Sequence, residues 1–243
     1  MVLAAGAGER LHPLTRLRPK VLCPLGDRPL VDHAIDRFRG ATTAVAVNVH
    51  HGRDLLESHL AGRVHLSIEA DRALGTAGAL GLLRDWIAGR PTLVVNGDTW
   101  CPTSPGVLLD GWDGERIRVL VHGGTELTRG ARIAGALLPW AEVRRFEPTP
   151  SGLYETSWRD AVNEDRLEVV PLAVTETCID CGTPSDYLEA NLAWSGGKSV
   201  IGVGALVEGT ISECVIWPGA EVAREERLHR AIRAHERMTV LVR

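Results

Sequence analysis

The stretch Leu3-Ala4-Ala5-Gly6-Ala7-Gly8-Glu9-Arg10-Leu11 decides how the rest of the chain is organised. Val2 and Leu3 are typical of the end of a buried strand, and the small residues after them leave room for a ligand against the backbone. Glycine tolerates positive φ, and its bare backbone lets N–H groups face an anion. Arg10 and Lys20 add fixed positive charge beyond the loop. This combination predicts a phosphate-binding site with backbone contacts from Leu3, Ala4, Ala5, Gly6 and Gly8.

Strand-like and helix-like segments alternate after this loop. The predicted strands span 42–49, 64–68 and 92–96, and the predicted helices span 32–39, 55–60 and 75–86. The strands are rich in β-branched residues, and the helices carry apolar residues at helical spacing. This alternation predicts an α/β fold with a doubly wound, mostly parallel sheet. In such sheets ligands bind beyond the carboxyl ends of the strands.

Asp98 follows the predicted strand 92–96, at such a carboxyl end. A carboxylate at this position is placed to hold a divalent cation against phosphates, because Mg²⁺ commonly uses one or two carboxylates together with phosphate oxygens. The alternative is a turn aspartate that caps the next segment. The sequence therefore makes Asp98 a candidate Mg²⁺ ligand.

Composition excludes several classes of protein. The 243 residues carry a net charge of −4, which argues against a nucleic-acid surface. No apolar run approaches the roughly 20 residues that span a bilayer, and no signal-peptide pattern is present. Five scattered cysteines favour reduced thiols in a cytoplasmic protein. Only two residues precede Leu3, so either the first strand is short or the true start lies upstream.

The sequence of residues 3–30 resembles the signature motif of the sugar-nucleotide pyrophosphorylases. The matching elements are L-A-A-G-x-G-x-R-L, P-L-T, P-K-x-L and P-L-G-x-x-P-L. The dinucleotide-binding and Walker patterns are not met. The resemblance implies a Rossmann-like nucleotidyltransferase fold that binds a nucleoside triphosphate and a sugar 1-phosphate. It also implies that Arg10 and Lys20 hold the triphosphate and offset developing charge.

Two further segments resemble the same family. Gly75-Thr76-Ala77 resembles the turn that binds base and ribose in mannose-1-phosphate guanylyltransferases, and Glu69 stands where the family places a base-contacting side chain. This favours GTP slightly; the alternative is a glycine-rich helix start that lets helix and sheet approach closely. Asp180 lies in a segment D-x-G-T-P that also resembles the family, and the resemblance implies that Asp180 is the second Mg²⁺ ligand. Thr183 is the predicted N-cap of the helix that follows.

The resemblance weakens after residue 107. The family's E-K-P lysine is absent, and the chain has Val143-Arg-Arg-Phe-Glu-Pro148 there. Arg144 or Arg145 is either a replacement for that charge or a solvated side chain. The turn that holds the sugar is represented by Gly135 to Pro139 or by Gly152 to Tyr154, and the sequence does not choose between them.

The last fifty residues resemble the hexapeptide β-helix tail of many family members. We therefore divide the chain into a nucleotidyltransferase domain, 1–193, and a short tail, 194–243. Only about two coils fit in 200–222, fewer than the three repeats that usually stack stably. We expect the tail to pack on the main domain or on another subunit. The sequence also predicts a charged helix over 224–237 and a final strand over 238–242.

The resulting prediction is a Mg²⁺-dependent transfer of a nucleotide from an NTP to a sugar 1-phosphate, with release of pyrophosphate. The alternative is a nucleotide-sugar-binding or regulatory protein that keeps the pocket and lacks turnover. The absent lysine motivates this alternative, and the retained Arg10, Lys20, Asp98 and Asp180 argue against it.

Overall fold

The computed structural model describes residues 1–235 and 238–242. Its strands are β1 Val2–Leu3, β2 Pro24–Leu25, β3 Arg28–Pro29, β4 Ala46–Val49, β5 His65–Ile68, β6 Thr92–Asn96, β7 Thr99–Trp100, β8 Ile117–His122, β9 Arg132–Leu138, β10 Leu167–Leu172, β11 Ile179–Asp180, β12 Val200–Ile201, β13 Leu206–Val207, β14 Thr210–Ser212, β15 Val215–Ile216, β16 Glu221–Val222, β17 Arg227–His229, β18 Ala231–Arg233 and β19 Thr239–Leu241. Its α-helices are α1 Leu30–Asp36, α2 Arg53–Leu60, α3 Gly75–Leu82, α4 Arg84–Ile87, α5 Trp140–Val143, α6 Arg159–Asn163 and α7 Pro184–Ser195. Short 3₁₀ helices span Glu9–Leu11, Leu14–Arg16, Lys20–Leu22 and Pro105–Leu109, and a π-helical turn spans Tyr154–Trp158.

The chain divides into two compact units. The first unit comprises Met1–Gly6 and Ala34–Cys178, and the second comprises Ala7–His33 and the described residues from Ile179 onward. This division differs from the predicted boundary between residues 193 and 194. The reason is that α7 bonds to the N-terminal segment within the second unit: the Tyr187 hydroxyl donates to the Pro24 carbonyl, and Asn191 Oδ1 accepts from the Gly26 N–H at 3.0 Å.

A seven-stranded sheet forms the framework of the first unit. Its strand order is β10-β8-β9-β6-β1-β4-β5. β1 pairs in parallel with β4 and β6, β4 with β5, and β8 with β10, whereas β9 runs antiparallel to both β6 and β8. The predicted α/β class with a mostly parallel sheet is therefore confirmed. The strands β4, β6 and β8 are mostly buried, as expected for a covered sheet, and the core includes Val94, Val119, Ala136, Leu138 and Phe146.

The predicted elements match this sheet closely. β6 occupies the predicted range 92–96, and β5 begins one residue later than predicted. β4 is shorter than the predicted strand, because only its last four residues pair. The helix predicted over 75–86 is interrupted at Leu83, where ψ is −1°. Gly78 and Gly81 in that stretch weaken a continuous helix.

Helix α7 organises the second unit. Thr183 caps it as predicted, since its Oγ1 accepts the Asp186 N–H at 3.2 Å, and Pro184 is the first helical residue. The buried Tyr187 hydroxyl also accepts the indole N–H of Trp217 at 3.0 Å. Tyr187 and Trp217 are both fully buried, so this hydrogen bond links α7 to the tail inside the second unit.

The C-terminal strands pair in parallel in three rows. β12, β15 and β18 form one row, β13 and β16 a second, and β14 and β17 a third. The register joins Val200 to Val215 and Leu206 to Glu221, and β19 adds antiparallel to β18.

The helix predicted over 224–237 is wrong for its described part, which contains β17 and β18; residues 236 and 237 lie outside the described residues. Ala231 and Ile232 are buried and continue the strand row that contains β15. Their burial in this row favours a strand, although the charged residues around them are typical of a solvated helix. The final strand is confirmed as β19. None of the helices in the described chain is long and apolar enough to cross a membrane.

Candidate active site

A chain of buried hydrogen bonds supports the start of the glycine-rich loop in the first unit. The Ala4 N–H donates to Asn48 Oδ1 at 2.7 Å, and Asn48 Nδ2 donates to Glu69 Oε1 at 2.7 Å. The Leu74 N–H donates to Glu69 Oε2, also at 2.7 Å. We call this arrangement the Asn48–Glu69 relay. It joins the loop after β1 to the turn that opens α3, through strand β4 and the residue after β5.

The relay changes the interpretation of Glu69. The residue is 2% exposed, and each of its carboxylate oxygens accepts an N–H from the protein. In this structure the Asn48 amide and the Leu74 N–H occupy the two carboxylate oxygens. Contact of Glu69 with a nucleotide base, and the preference for GTP that rests on it, stay predictions.

The turn at Gly75-Thr76-Ala77 is tied to the segment 149–153. The Ala77 N–H donates to the Ser151 carbonyl at 3.0 Å, and the Ser151 N–H donates to the Leu74 carbonyl at 3.0 Å. Thr76 Oγ1 accepts the Leu153 N–H at 2.8 Å. A ladder of three bonds thus fixes the predicted base- and ribose-binding turn against this segment.

Two glycines of α3 permit this close approach. A Cβ at Gly78 would lie 2.2 Å from the Thr149 carbonyl oxygen, and one at Gly81 would lie 2.5 Å from the Glu147 backbone. The alternative interpretation of this motif, in which glycines permit close packing, therefore applies to Gly78 and Gly81. The two glycines approach the backbone of residues 147–149. The sequence had predicted a close approach to the sheet instead.

A cavity of about 210 Å³ opens beside this ladder. It is bounded by the ends of β1 and β6, by β9 and by the π-helical turn. Both alternatives for the sugar-holding turn contribute to it, through Gly135 and through Gly152 to Tyr154. Arg144 and Arg145 are exposed, and Arg145 pairs with Glu142 at 3.4 Å, as expected for solvated side chains.

In the second unit, Arg10 and Lys20 meet the carboxylate of Asp180. Lys20 Nζ lies 3.2 Å from Asp180 Oδ1, and Arg10 Nη2 lies 3.5 Å from Asp180 Oδ2. The Lys20 side chain is 7% exposed, whereas those of Arg10 and Asp180 are 71% and 53% exposed. The arrangement presents two cations and one carboxylate, with the lysine largely withdrawn from water.

Glycines at two positions make this cluster fit. Gly8 has a φ of 68°, and a Cβ there would lie 2.9 Å from Lys20 Cβ. At Gly182 a Cβ would lie 2.9 Å from Arg10 Nη2 and 3.1 Å from Asp180 Oδ2. Thr15 Oγ1 donates to the Gly8 carbonyl at 3.1 Å and fixes the turn that begins the 3₁₀ helix at Glu9.

The proposed metal ligands lie one in each unit. Asp98 follows β6 in the first unit, and Asp180 ends β11 in the second. Both are carboxylates with accessible surface, which is the donor type that Mg²⁺ takes together with phosphate oxygens. No group of three or more histidine, cysteine, aspartate or glutamate side chains suited to a metal occurs among residues 1–235 and 238–242.

Sequence reasoning missed Asn48, although a signal existed. An asparagine inside a buried apolar strand needs hydrogen-bond partners, and Asn48 is 2% exposed. The adjacent histidines are satisfied, as expected: His50 Nδ1 lies 2.7 Å from the Glu69 carbonyl oxygen, and His51 Nδ1 lies 2.8 Å from that of Ala5. The five cysteines are free thiols in the structure, as also expected.

Comparisons with known proteins relate the chain to a family through its first part. Residues 1–113 match the family described as nucleotidyl transferase. The chain carries a nucleotidyl transferase domain. An N-acetylmuramate alpha-1-phosphate uridylyltransferase of Caulobacter vibrioides is 38% identical to this chain over 132 residues, which cover 49% of the chain and 54% of the relative. The match therefore spans about half the length of that relative.

Two further relatives extend the likeness beyond the first 113 residues. A mannose-1-phosphate guanyltransferase of Schizosaccharomyces pombe is 26% identical over 228 residues, covering 77% of this chain and 62% of the relative. A crystal structure from Bacillus anthracis, of a protein assigned as a glucose-1-phosphate thymidylyltransferase in complex with sucrose, aligns with a TM-score of 0.64. It covers 79% of this chain and 93% of its own at 20% identity, so it supports the fold alone.

Proposed function

We propose that this protein joins a nucleoside triphosphate to a sugar 1-phosphate, giving a nucleoside-diphosphate sugar and pyrophosphate. One observation carries the proposal: Lys20 and Arg10 from the N-terminal signature meet Asp180 from the second signature segment, at 3.2 and 3.5 Å. Asp180 lies 160 positions after Lys20 and 170 positions after Arg10 in the chain.

The reaction class fits a site built from charge and backbone. A sugar phosphate oxygen attacks the α-phosphorus of the triphosphate, the bond to the β-phosphate oxygen breaks, and pyrophosphate leaves. No covalent enzyme intermediate is needed, so rate enhancement comes from positioning and charge stabilisation. In this proposal the loop amides of Leu3 to Gly8 bind phosphate oxygens. Arg10 holds the triphosphate, and Lys20 stabilises the charge that develops at the α-phosphorus.

Mg²⁺ is part of the proposal, with Asp98 and Asp180 as its protein ligands. When bound, the cation would supply charge neutralisation between phosphate groups and act as a Lewis acid. The carboxylate type and its accessible surface support this assignment at both positions. The second role of Asp180 is to hold Lys20 and Arg10 in place.

For the substrates we propose UTP and an N-acetylmuramic acid 1-phosphate type of sugar as the first pair to test. Two uridylyltransferases for that sugar phosphate, from Caulobacter vibrioides and Neisseria meningitidis, are 38% and 37% identical over the aligned parts. GTP and mannose 1-phosphate form the second pair, supported by the longer but weaker match to the yeast guanyltransferase. In either case we place the sugar in the cavity between Gly135 and Gly152 to Tyr154.

A second function is favoured by one observation. No lysine stands in the segment 143–150, and both arginines there are exposed. A nucleotide-sugar-binding protein without turnover would tolerate this change.

We also propose that the three parallel strand rows of the tail are short coils of the hexapeptide type, which pack on the protein or join copies of it.

The test is pyrophosphate release across five nucleoside triphosphates and a panel of sugar 1-phosphates, with and without Mg²⁺. The proposal expects one pair to turn over in the presence of Mg²⁺ only. Nucleotide binding by calorimetry without pyrophosphate release from any pair would favour the binding protein.

A further inference from the structure

The segment that carries Lys20 is held on both sides by contacts inside the second unit. Two residues before Lys20, the Arg18 guanidinium lies over the indole ring of Trp217, 4.7 Å from the ring centroid. Four residues after Lys20, the Pro24 carbonyl accepts the hydroxyl of Tyr187. One of the two holding side chains lies in helix α7 and the other in the C-terminal tail. These contacts therefore join the N-terminal segment to both later elements.

The two holding side chains are also bonded to each other. The indole N–H of Trp217 donates to the Tyr187 hydroxyl oxygen at 3.0 Å. Tyr187 and Trp217 are both 0% exposed, so their hydrogen bonds are shielded from water. The Tyr187 hydroxyl thus accepts one hydrogen bond and donates another, as a phenol can. We call the contacts among Arg18, Trp217, Tyr187 and the Pro24 carbonyl the Trp217–Tyr187 anchor.

The chain between the two anchored points is short and internally bonded. Lys20 is the first residue of a 3₁₀ helix, and its carbonyl accepts the Cys23 N–H at 3.0 Å. The Leu22 N–H donates to the Pro19 carbonyl at 2.8 Å. Because these bonds close a tight turn around Lys20, a shift of either anchored point would shift the lysine backbone as well.

Strand pairing within the tail fixes the position of Trp217. The residue directly follows strand β15, and its backbone N–H donates to the Arg233 carbonyl, at the end of β18, at 2.8 Å. Its own carbonyl accepts the Ala220 N–H at 3.1 Å. The indole ring is therefore placed by the backbone of the tail, and the N-terminal segment packs against it.

We propose that Trp217 and Tyr187 are positioning residues for Lys20. Asp180 pairs with the Lys20 ammonium group, and the anchor holds the backbone on both sides of the lysine. A preorganised donor loses effect when it is displaced, and a misplacement of about 1 Å can cost about 10²-fold in rate. The tail is then needed for full turnover, through Lys20. This catalytic consequence rests on the proposed function, whereas the hold on the Lys20 segment does not.

The chain contains only two lysines, which makes the hold on Lys20 measurable without an activity assay. Lys20 is buried and Lys198 is exposed. Sulfosuccinimidyl acetate acetylates accessible amines, and peptide mapping follows both lysines in one sample. In the wild type we expect Lys198 to react faster. Tyr187→Phe keeps the ring and removes the hydroxyl. Loss of a hydrogen bond of ordinary strength should raise the Lys20 rate about fivefold and leave the Lys198 rate unchanged.

Matched variants separate the anchor from general loosening of the unit. Arg18→Gln removes the cation over Trp217, and Arg16→Gln removes an exposed cation from the same segment. Only the first should raise the Lys20 rate, by about two- to fivefold. Val222→Ala removes buried volume from the apolar core of the tail and leaves the residues of the anchor unchanged. It should lower the melting temperature without raising the Lys20 rate.

A double-mutant cycle tests the link to turnover. In the wild-type background, Tyr187→Phe should lower kcat for pyrophosphate release about 10- to 100-fold. In a Lys20→Ala background, the same substitution should change kcat by about twofold or less, because the group that Tyr187 positions is gone. A purely structural loss would lower kcat by the same factor in both backgrounds.

Three results would overturn the inference. The first is an unchanged Lys20 acetylation rate in Tyr187→Phe, and the second is an equal increase of that rate in Tyr187→Phe and Val222→Ala. The third is an equal fall of kcat for Tyr187→Phe in both backgrounds. A wild-type protein that turns over no substrate pair would contradict the proposed function and with it the role in turnover. The acetylation rates would still decide whether the anchor holds Lys20.

Discussion

Lys20 Nζ lies 3.2 Å from Asp180 Oδ1, and the lysine is almost wholly buried while the aspartate is half exposed. A buried ammonium group needs a counter-charge, and the Asp180 carboxylate that supplies one here also faces solvent. An incoming phosphate can therefore share the lysine with Asp180. The buried Lys20 ammonium group is therefore balanced by Asp180, which lies 160 positions later in the chain.

Replacing Lys20 with alanine should remove most of the activity. Loss of one preorganised donor to a developing charge costs about 10²- to 10³-fold in turnover, so we expect kcat to fall by that order for Lys20→Ala. Arg16→Ala is the matched control, because Arg16 is an exposed cation on the same segment. Steady-state pyrophosphate release measures both. Equal activity in the Lys20 variant and the control would contradict the role given to Lys20.

Asp98→Asn should leave the protein folded and remove Mg²⁺-dependent turnover. An amide keeps the size of the side chain but lacks the charge that a hard divalent cation prefers. The comparison is Asp54→Asn, an exposed first-turn residue of α2, which should behave as wild type. Circular dichroism and a Mg²⁺ titration of activity are the measurements. An Asp98→Asn enzyme with unchanged Mg²⁺ dependence would rule out this ligand.

Glu69→Gln should destabilise the protein without switching its choice of base. Both Glu69 oxygens accept N–H groups. In the glutamine variant one of these oxygens becomes an NH₂ group, which would point at the N–H of Asn48 or Leu74 and leave both donors without an acceptor. A buried donor left without an acceptor costs about 1–3 kcal/mol. Denaturant unfolding measures the loss, and relative kcat/KM for UTP and GTP measures the base preference. A stable variant with a changed preference would restore Glu69 as a base-reading residue.

Gly78→Ala should lower the stability of the first unit. The new methyl carbon would meet the Thr149 carbonyl oxygen at 2.2 Å, and overpacking of this kind costs about 1–3 kcal/mol. Gly130→Ala is the matched control, because a Cβ there meets nothing within 4 Å. Thermal unfolding of both variants gives the comparison. Equal melting temperatures would show that α3 and the 147–151 segment can separate without loss.

His33 should make stability fall in mild acid. Burial lowers the pKa of His33 from its ordinary 6.5, and its Nε2 lies 2.8 Å from the Leu25 carbonyl oxygen. The unfolded chain binds a proton near pH 6.5 that the folded chain resists, so this contribution is present above that pH and is lost below it. We expect His33→Gln to show a smaller loss of melting temperature between about pH 7 and pH 5. Thermal unfolding of both proteins across this range is the measurement, and equal slopes for wild type and His33→Gln would contradict the role given to His33.

The sheet could be predicted because its signals are local. The apolar run at Thr92–Asn96 is short, bounded and rich in branched residues, and the strand has the predicted bounds. The range 224–237 could not be predicted in the same way. Its charges suggested a solvated helix, but Ala231 and Ile232 are buried against an earlier strand row. Which state wins depends on neighbours that are distant in the sequence.

The same distinction holds for the candidate site. By resemblance, the sequence assigned Arg10 and Lys20 to the triphosphate and Asp180 to Mg²⁺, and these roles stay predictions. The ion pairs of Arg10 and Lys20 with Asp180 were not foreseen. The role of Glu69 depended on Asn48, which lies 21 residues earlier, and no local pattern announces that pair. The boundary of the second unit depended on the bond between Asn191 and Gly26, across 165 residues.

The most direct test of the central claim follows labelled phosphorus through the reaction. Wild-type protein is incubated with Mg²⁺, a sugar 1-phosphate and UTP labelled at the α-phosphorus or at the γ-phosphorus. The account predicts α-label in a nucleoside-diphosphate sugar and γ-label in pyrophosphate, with both products formed about 10²- to 10³-fold more slowly by Lys20→Ala. Label that stays in the triphosphate for every sugar and nucleotide tested, although the nucleotide binds, would contradict it.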